Sequence, residues 1–202
     1  MILVGRNLSP FVRRVAATLN LYGLPFEQLP LRATDQGAEI ARYNPLGRVP
    51  SLVLDDGEIL VDSSAIIDHL DSLVGPDRAL TPASGPERRA VLNCLALGLG
   101  ALERIVAAFY ERDRRPAERV WPENVTRLAG HAFGGLAALD GMAVQGWLVG
   151  GRMTQADVTA AIALDFAEHA MPELVAGRLP ALAALRDQTN ARPEVGSTRW
   201  AG

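Results

Sequence analysis

Asn44-Pro45-Leu46-Gly47-Arg48-Val49-Pro50 runs directly into Ser51-Leu52-Val53-Leu54, a short apolar stretch that predicts a β-strand. Proline has no N–H to donate to a sheet, so a proline at the entry of a strand marks a special backbone position. The bond before such a proline is a candidate for the cis isomer, which is otherwise the minority state. The stretch therefore predicts a strand entry with a specialised backbone at Pro50.

Strand and helix patterns alternate around this stretch, over residues 1–73. Short apolar runs predict strands at residues 2–4 and 26–31. Asp55-Asp56-Gly57 predicts a hairpin turn between strands at residues 51–54 and 59–61. Helical patterns occupy residues 10–22, 36–43 and 63–73, so the first half of this segment has βαβ character.

The first of these helices has the clearest boundaries. Ser9 is a typical N-cap and Pro10 suits the first helical position, while Gly23 is typical of a helix end. Apolar residues follow at helical spacing, and Arg13 and Arg14 lie off that apolar stripe. These signals therefore predict a helix that begins at Pro10 and ends before Gly23.

The rest of the chain has helical patterns throughout. Gly75-Pro76-Asp77 and Pro82-Ala83-Ser84-Gly85-Pro86 are rich in turn-forming residues and predict a linker over residues 76–86. One domain is therefore predicted over residues 1–75, and an all-helical domain over residues 87–202. The helices of this second domain are expected at residues 87–114, 124–140, 154–170 and 180–191, followed by an irregular tail from residue 192.

The sharpest local signal in the helical half is a capping box at Met153-Thr154-Gln155-Ala156-Asp157-Val158. Thr154 at the N-cap and Asp157 at the third helical position are able to satisfy each other's unpaired amides. Met153 and Val158 occupy the positions of a hydrophobic staple. A box of this kind contributes about 1–2 kcal/mol to stability, so we assign it a structural role.

Composition and charge argue against several classes of protein. The formal net charge is -3 and the Lys and Arg residues are dispersed, so we expect no nucleic-acid partner. The chain begins without a signal-peptide pattern and no apolar segment approaches the ~20 residues that cross a bilayer, so we expect no membrane partner. Cys94 is the only cysteine and the three histidines lack metal-ligand spacing, so we expect no disulfide and no metal. These features favour a cytoplasmic protein.

Three motifs in the first half together resemble the thioredoxin-like half of the cytosolic glutathione transferases. They are residues 7–15, which contain Ser9-Pro10, then Arg48-Val49-Pro50, and then Asp62-Ser63. In the second half, residues 147–157 are similar to the capping segment of that family's helical domain, and residues 191–195 to its C-terminal end. The chain thus resembles a bacterial family member with a serine-type active site over nearly its whole length.

The resemblance implies a fold and a set of partners. The expected fold class is an α/β thioredoxin-like N-terminal domain followed by an all-α C-terminal domain. The implied co-substrate is glutathione, without a metal, and the implied second substrate is a small hydrophobic electrophile. The family also implies a homodimer, whose interface the sequence does not indicate.

Ser9 occupies the catalytic position by this comparison, although the sequence alone favours a plain helix N-cap. The implied task is to hold glutathione as the thiolate, which is the nucleophilic form. A cap serine already directs its oxygen toward the helix N-terminus, so the structural and catalytic roles share one geometry. The backbone amide of Phe11 is a second, weaker candidate contact.

Val49 and Pro50 form the second implied site. In the resembled family this proline is cis, and the residue before it pairs its main chain with the cysteinyl part of glutathione, as an added strand would. Val49 would then bind through its N–H and C=O rather than through its side chain. Arg48 is a candidate contact for the glycyl carboxylate, and a solvent-facing arginine is an equal alternative.

Asp62 and Ser63 form the third implied site, and a plain helix N-cap is again the structural alternative. A helix N-terminus is a ready anion site, so the resemblance implies that Ser63 holds the γ-glutamyl carboxylate of glutathione. Asp62 is expected to face the γ-glutamyl ammonium group. The family more often has Glu or Gln at the Asp62 position, and Asp is one methylene shorter than Glu.

Four residues are expected to line the electrophile pocket. Phe109 and Tyr110 lie near the end of the long helix that borders this pocket in the family, and ordinary packing is an equal alternative for them. Leu8 and Phe11 flank Ser9 in the sequence. Because such pockets are mostly apolar, they discriminate between substrates by only a few kcal/mol.

The leading hypothesis is an enzyme that adds the glutathione thiolate to an electrophilic carbon. Peroxidase, isomerase and dehalogenase reactions use the same thiolate and stay open as alternatives. A thiol–disulfide reductase of the same fold requires a cysteine at position 9, and the serine there argues against it. A non-catalytic scaffold or binding protein of the same fold is the third hypothesis, which the intact motifs oppose without excluding it.

Overall fold

The computed structural model describes residues 1–200, which form two compact units. The first unit contains residues 1–83 together with the C-terminal segment from Ala191, and the second contains residues 84–190. The first unit holds a small mixed sheet with helices, and residues 84–190 are built from helices without a strand. The expected fold class, a thioredoxin-like α/β domain and an all-α domain, is confirmed.

The first unit follows the predicted order of strands and helices. Its elements are β1 (Ile2–Val4), α1 (Pro10–Tyr22), β2 (Glu27–Leu29), α2 (Gly37–Ile40), β3 (Ser51–Val53), β4 (Ile59–Leu60) and α3 (Ser63–Val74). β1 is parallel to β2 and antiparallel to β3, and β3 is antiparallel to β4, so the sheet order is β2-β1-β3-β4. Val4 pairs with Ser51, so the chain leaves β1 toward α1 at the same end of the sheet where Pro50 enters β3.

α1 is buried on more sides than its apolar stripe predicts. Arg13 and Arg14 lie off that stripe, and they are nevertheless only 0% and 1% exposed. Arg13 Nε donates to Thr198 Oγ1 at 3.2 Å, and Arg14 Nη1 donates to Ser63 Oγ at 3.0 Å. A hydrophobic pattern indicates the preferred apolar face of a helix, whereas the elements packed on its other sides decide how much more is covered.

The second unit is a bundle of helices. They are α4 (Gly85–Asp113), α5 (Pro122–Met142), α6 (Gln155–Ala170), α7 (Pro172–Val175) and α8 (Pro180–Asn190). The most buried of them is α6, whose residues 155–167 are all buried and which packs against α4 and α8. Short 3₁₀ turns occur at Ala117–Arg119 and Ala143–Gln145.

The C-terminal tail differs from the irregular segment that the sequence predicts. It contains a one-turn helix, α9 (Pro193–Gly196), and it packs against α1. Val195 is fully buried, and Asn20 Nδ2 on α1 donates to the Glu194 carbonyl at 3.1 Å. The sequence assigned this tail to the helical domain, whereas its contacts group it with the first unit.

α4 is long and apolar enough, by length and composition, to cross a membrane, which the count of apolar residues in the sequence did not suggest. In the second unit it packs against α5 and α6 and buries side chains such as Leu102 and Ile105 completely. A core helix of a bundle has the same length and composition, because its apolar residues face neighbouring helices. These contacts account for the apolar residues of α4 that are buried, whereas others, such as Leu92 at 43% exposure, lie on its open side.

Candidate active site

Ser9 is the N-cap of α1, as the sequence predicts. Its backbone is extended, and its Oγ accepts a long hydrogen bond from the Val12 N–H at 3.5 Å. Pro10 has no N–H, so the amides of Phe11 and Val12 are the first donors at this end of the helix. Ser9 is half-buried. Because its oxygen accepts from Val12, the proton of the hydroxyl is available to donate to a ligand.

Gly5 allows α1 and the second motif to approach each other. Its φ is +123°, a conformation that favours glycine. A Cβ at this position would lie 2.5 Å from Val12 Cγ2 and 2.9 Å from Val49 Cβ, which is closer than Cβ atoms approach in proteins. The absence of a side chain at Gly5 therefore permits both Val12 and Val49 to lie against its backbone. No local sequence pattern indicates this role.

Asn44 holds the turn that leads to Val49. Its side chain is 1% exposed, and its Nδ2 donates to the Arg48 carbonyl at 3.1 Å. Its Oδ1 accepts from the Leu46 N–H at 2.9 Å. The bond between Val49 and Pro50 is cis, as the resemblance implies. The Arg48 side chain is exposed, so only its carbonyl is fixed by this turn.

Val49 is also anchored by packing, because it lies against a hydrophobic cluster next to β1. The side chain is half-buried and its backbone precedes the sheet. Together with the hydrogen bonds of Asn44, this packing fixes the main chain at the second motif. The buried members of the cluster are Val4, Leu31 and Ile40, with Leu29, Tyr43, Val49 and Val53 packed against them.

The third motif starts α3. Asp62 is exposed and is the N-cap, since its Oδ1 accepts from the Ser64 N–H at 2.9 Å. The bond between Val61 and Asp62 is also cis. Ser63 is the first helical residue and is 3% exposed, and its Oγ accepts from Arg14 Nη1 at 3.0 Å. The cap role of Asp62 leaves its second carboxylate oxygen for other partners.

The three motifs converge on the first turns of α1. Ser9 begins this helix, Val12 and Val49 of the second motif both lie against Gly5, and Arg14 donates to Ser63 of the third motif. The fold thus brings together three segments that are far apart in the sequence, at one end of the first unit. Their individual roles toward a ligand stay predictions.

Arg14 is a buried charge in this region whose burial the sequence does not indicate. Burial lowers its pKa to about 10, and the negative charges of Asp62 and Asp71 act in the opposite direction. Its Nε is buried without a hydrogen-bond acceptor among the described residues. The only available signal was an arginine beside an apolar stripe, which is typical of a solvent-facing position and gave no hint of burial.

The four residues expected in the electrophile pocket belong to two units, each with its own environment. In the first unit, Leu8 and Phe11 are half-buried. In the second unit, Phe109 is half-buried and Tyr110 is 41% exposed on α4, with ring centroids 6.0 Å apart. The guanidinium of Arg114 lies 5.6 Å from the Phe109 ring centroid. The assignment of these residues to one pocket stays a prediction.

Two family models match the chain. The model of the glutathione S-transferase N-terminal domain matches residues 3–78. The model of the glutathione S-transferase C-terminal domain matches residues 101–197. Together these matches span most of the chain, including all three motifs.

Relatives and solved structures of the same family are similar over most of their length. The chain is 32% identical over 169 residues to the GST-like protein YibF of Escherichia coli strain K12, covering 82% of this chain and 81% of YibF. It is 37% identical over 163 residues to a maleylacetoacetate isomerase of Pseudomonas aeruginosa, covering 72% and 71%. A glutathione S-transferase from Methylobacterium radiotolerans, crystallised with glutathione sulfonate, gives a TM-score of 0.91 at 30% identity, covering 100% of this chain and 95% of that one. The chain therefore belongs to the glutathione S-transferase family.

Proposed function

We propose that this protein is a glutathione transferase that joins the glutathione thiolate to hydrophobic electrophiles. The observation that carries the proposal is the convergence of the three motifs on the first turns of α1 in a chain of this family. The relative from Methylobacterium radiotolerans is complexed with glutathione sulfonate, which supports glutathione as the co-substrate. The chemistry requires no metal, and residues 1–200 contain no group of three or more His, Cys, Asp or Glu side chains placed to hold one.

Ser9 is the catalytic residue in this proposal, because its hydroxyl donates to the thiolate. A cysteine thiol has a pKa of about 8.5, and lowering it by about two units requires about 2.7 kcal/mol. A hydrogen bond to a charged group supplies about 1.5–3 kcal/mol. A helix N-terminus adds about 0.3–1 kcal/mol. Ser9 and the amide of Phe11 therefore suffice without a general base.

The remaining contacts hold the peptide part of glutathione. The main chain of Val49, fixed before the cis bond to Pro50, pairs with the cysteinyl unit in this proposal. The exposed Arg48 side chain meets the glycyl carboxylate. Ser63 and the amides at the start of α3 bind the γ-glutamyl carboxylate, and Asp62 faces the ammonium group.

In this proposal, as the family resemblance implies, Leu8, Phe11, Phe109 and Tyr110 are the residues assigned to the electrophile. These side chains are apolar or aromatic, which suits a small hydrophobic substrate. We also propose a cytoplasmic homodimer, which the family resemblance implies. Light scattering on the purified protein is expected to give twice the chain mass of 21.6 kDa. A mass equal to one chain at micromolar concentration would contradict the dimer.

Glutathione-dependent isomerisation is the second candidate function. It is favoured by the 37% identity to the maleylacetoacetate isomerase of Pseudomonas aeruginosa. In such a reaction the thiolate adds to an activated double bond, the resulting single bond rotates, and elimination returns the thiolate. The two functions differ in the fate of glutathione, because conjugation consumes the thiol and isomerisation regenerates it. A thiol assay during turnover of each substrate class separates them.

The experiment that tests the proposed function is titration calorimetry with reduced glutathione and with S-hexylglutathione. We expect both to bind, and the hexyl form to bind more tightly because its chain enters an adjoining apolar pocket. Binding of glutathione alone would support the thiol site without that pocket. Binding of neither would favour the scaffold hypothesis, in which the motifs only maintain the fold.

A further inference from the structure

One buried cation contacts the proposed glutathione site and has no role in the chemistry described above. Arg14 is 1% exposed, and its Nη1 lies 3.0 Å from Ser63 Oγ. Charged side chains are almost never buried this completely unless they are paired. The negative charges of Asp62 and Asp71 support the cation, whose pKa of about 10 keeps it protonated at neutral pH.

The hydrogen bond between Arg14 and Ser63 has only one possible direction. A guanidinium donates and cannot accept, so the Ser63 oxygen must accept from Arg14. The proton of the Ser63 hydroxyl is then directed toward a different acceptor. A hydrogen bond that is received from a cation also polarises the hydroxyl and makes it a stronger donor.

The amides next to Ser63 have the same polarity. Ser63 is the first residue of α3, and the first helical bond runs from the Ile66 N–H to the Asp62 carbonyl. The N–H groups of residues 63–65 therefore have no carbonyl of their own helix to bind. Asp62 takes the Ser64 N–H, which leaves two amides and one hydroxyl that all donate. A group of donors alone suits a carboxylate.

We propose that Arg14 is a positioning residue that fixes Ser63 as a hydrogen-bond donor to the γ-glutamyl carboxylate of glutathione. The inference rests on the proposed function. It names Arg14 as the source of the preference of the glutathione site for ligands that carry this carboxylate. The buried Nε of Arg14 finds no acceptor among the described residues, which is costly for a role in packing alone. An apolar side chain of similar length would fill the space without that cost.

The pair of charges at this site matches the amino-acid end of glutathione. Arg14 acts on the carboxylate through Ser63, while the exposed carboxylate of Asp62 faces the ammonium group. A ligand that lacks the carboxylate should therefore be insensitive to Arg14, and a ligand that lacks the ammonium group should stay sensitive. Two analogues meet these conditions: γ-aminobutyryl-cysteinylglycine lacks the α-carboxylate, and glutaryl-cysteinylglycine lacks the ammonium group.

The test is calorimetric titration of wild type and Arg14→Met with glutathione and both analogues. We expect Arg14→Met to lower the affinity for glutathione and for glutaryl-cysteinylglycine by about 10- to 100-fold, because one charge-assisted hydrogen bond is lost. The affinity for γ-aminobutyryl-cysteinylglycine should change by about twofold or less. Equal weakening of all three ligands, or no weakening, would overturn the proposal. The two failures are distinguishable. If wild type binds glutathione, such a result overturns only the role of Arg14, whereas wild type that binds no glutathione contradicts the proposed function itself.

Arg13→Met is the matched control. Arg13 is the neighbouring residue on α1 and is equally buried, but its Nε donates to Thr198 in the tail. Its loss should lower stability without changing the ratio of the affinities for glutathione and γ-aminobutyryl-cysteinylglycine. A changed ratio in Arg13→Met would overturn the proposal, because burial of any arginine on α1 would then explain the effect.

Arg14→Lys and Arg14→Gln keep the inference testable if Arg14→Met does not fold. Lysine keeps the charge and donates only, whereas glutamine is neutral and is able to accept from Ser63. Lysine should therefore retain more of the carboxylate selectivity than glutamine. Wild-type selectivity in both variants would overturn the proposal.

Discussion

Ser9 and Ser63 have the same hydrogen-bonding arrangement at the scale of single residues. Each hydroxyl oxygen accepts from a group on α1, Val12 N–H for Ser9 and Arg14 Nη1 for Ser63. Each therefore has a proton to donate to an anion, which is a thiolate for Ser9 and a carboxylate for Ser63 in the proposed function. The contact to Ser9 is long, at 3.5 Å, so its hydroxyl is held less firmly.

Ser9→Ala is expected to lower turnover by about tenfold to a thousandfold, because oxyanion-type stabilisation by one donor is of this size. Loss of the donor also raises the pKa of the bound thiol, so the pH–rate profile should move to higher pH. Glutathione affinity should change less, since the peptide contacts are intact. Steady-state kinetics across pH measures both effects, with Ser9→Thr as the control that keeps a hydroxyl. Unchanged turnover would mean that backbone amides alone hold the thiolate.

Asn44→Ala is expected to destabilise the protein by about 1–3 kcal/mol, because it removes two hydrogen bonds, to the Leu46 N–H and the Arg48 carbonyl, each worth about 0.5–1.5 kcal/mol. It should also weaken glutathione binding, since the turn that fixes Val49 is loosened. Asn44→Asp keeps the acceptor for the Leu46 N–H and removes the donor to the Arg48 carbonyl. Urea unfolding and calorimetry of both variants separate the two bonds. Full stability in Asn44→Ala would show that packing alone maintains the turn.

At the scale of elements, the start of α6 shows how one side chain joins a helix to a loop. Asp157 Oδ2 accepts from the Thr154 N–H at 2.7 Å and from Thr154 Oγ1 at 2.9 Å. Thr154 Oγ1 in turn accepts from the Ala156 N–H at 3.2 Å, so the predicted capping box is present. The second oxygen, Oδ1, accepts from the Leu148 N–H at 2.8 Å. Asp157 thus fixes the preceding loop as well as the helix.

Asp157→Ala is therefore expected to lower the free energy of unfolding by more than the loss of an ordinary helix cap does. A cap is worth about 1–2 kcal/mol, and loss of the hydrogen bond from the half-buried Leu148 amide adds about 0.5–1.5 kcal/mol. We expect a total loss of about 1.5–3.5 kcal/mol in the free energy of unfolding, measured with urea. Thr154→Ser is the control, because it keeps both the oxygen and the proton of the box. A loss in Asp157→Ala no larger than that of Thr154→Ser would contradict the prediction.

At the scale of the whole molecule, titration of Asp71 is expected to make the stability of the first unit depend on pH. It accepts a hydrogen bond from the Tyr22 hydroxyl, and Tyr22 Oη accepts from the Leu80 N–H at 2.7 Å. This network joins α1, α3 and the segment that follows α3. Burial raises the pKa of Asp71, and its hydrogen bonds to Tyr22, Thr81 and Leu80 oppose the rise without cancelling it.

Because the pKa of Asp71 is raised on folding, the folded protein holds this proton more tightly than the unfolded chain. The stabilisation is complete below the unfolded pKa of about 3.9 and is lost as the pH rises through the higher folded value. The free energy of unfolding of wild type, minus that of Asp71→Asn, should therefore decrease as the pH rises from about 4 and then level off. Urea unfolding at a series of pH values measures this difference.

Tyr22→Phe is the control for this pH dependence. It removes a hydrogen bond that lowers the pKa of Asp71, so the titration should persist and extend to higher pH. A difference between wild type and Asp71→Asn that is constant, or that increases with pH, would contradict the assignment to Asp71.

Much of the fold was predictable because its signals are local. Ser9, Pro10 and Gly23 mark the ends of α1, and the structure has the cap, the first-turn proline and the left-handed terminator there. The hairpin between β3 and β4 and the capping box of α6 also depend on residues a few positions apart. Motifs spaced along the first half were sufficient to identify the family.

The sequence by itself determined the elements, the family and the serines that begin two helices, since caps, turns and periodicity act between near neighbours in the chain. The tertiary structure alone decided that Arg14 is buried against Ser63 and that the tail covers Arg13. It also decided that Val49 lies against Gly5. These contacts join residues between 44 and 185 positions apart, and no local pattern reports which distant element covers a given side chain.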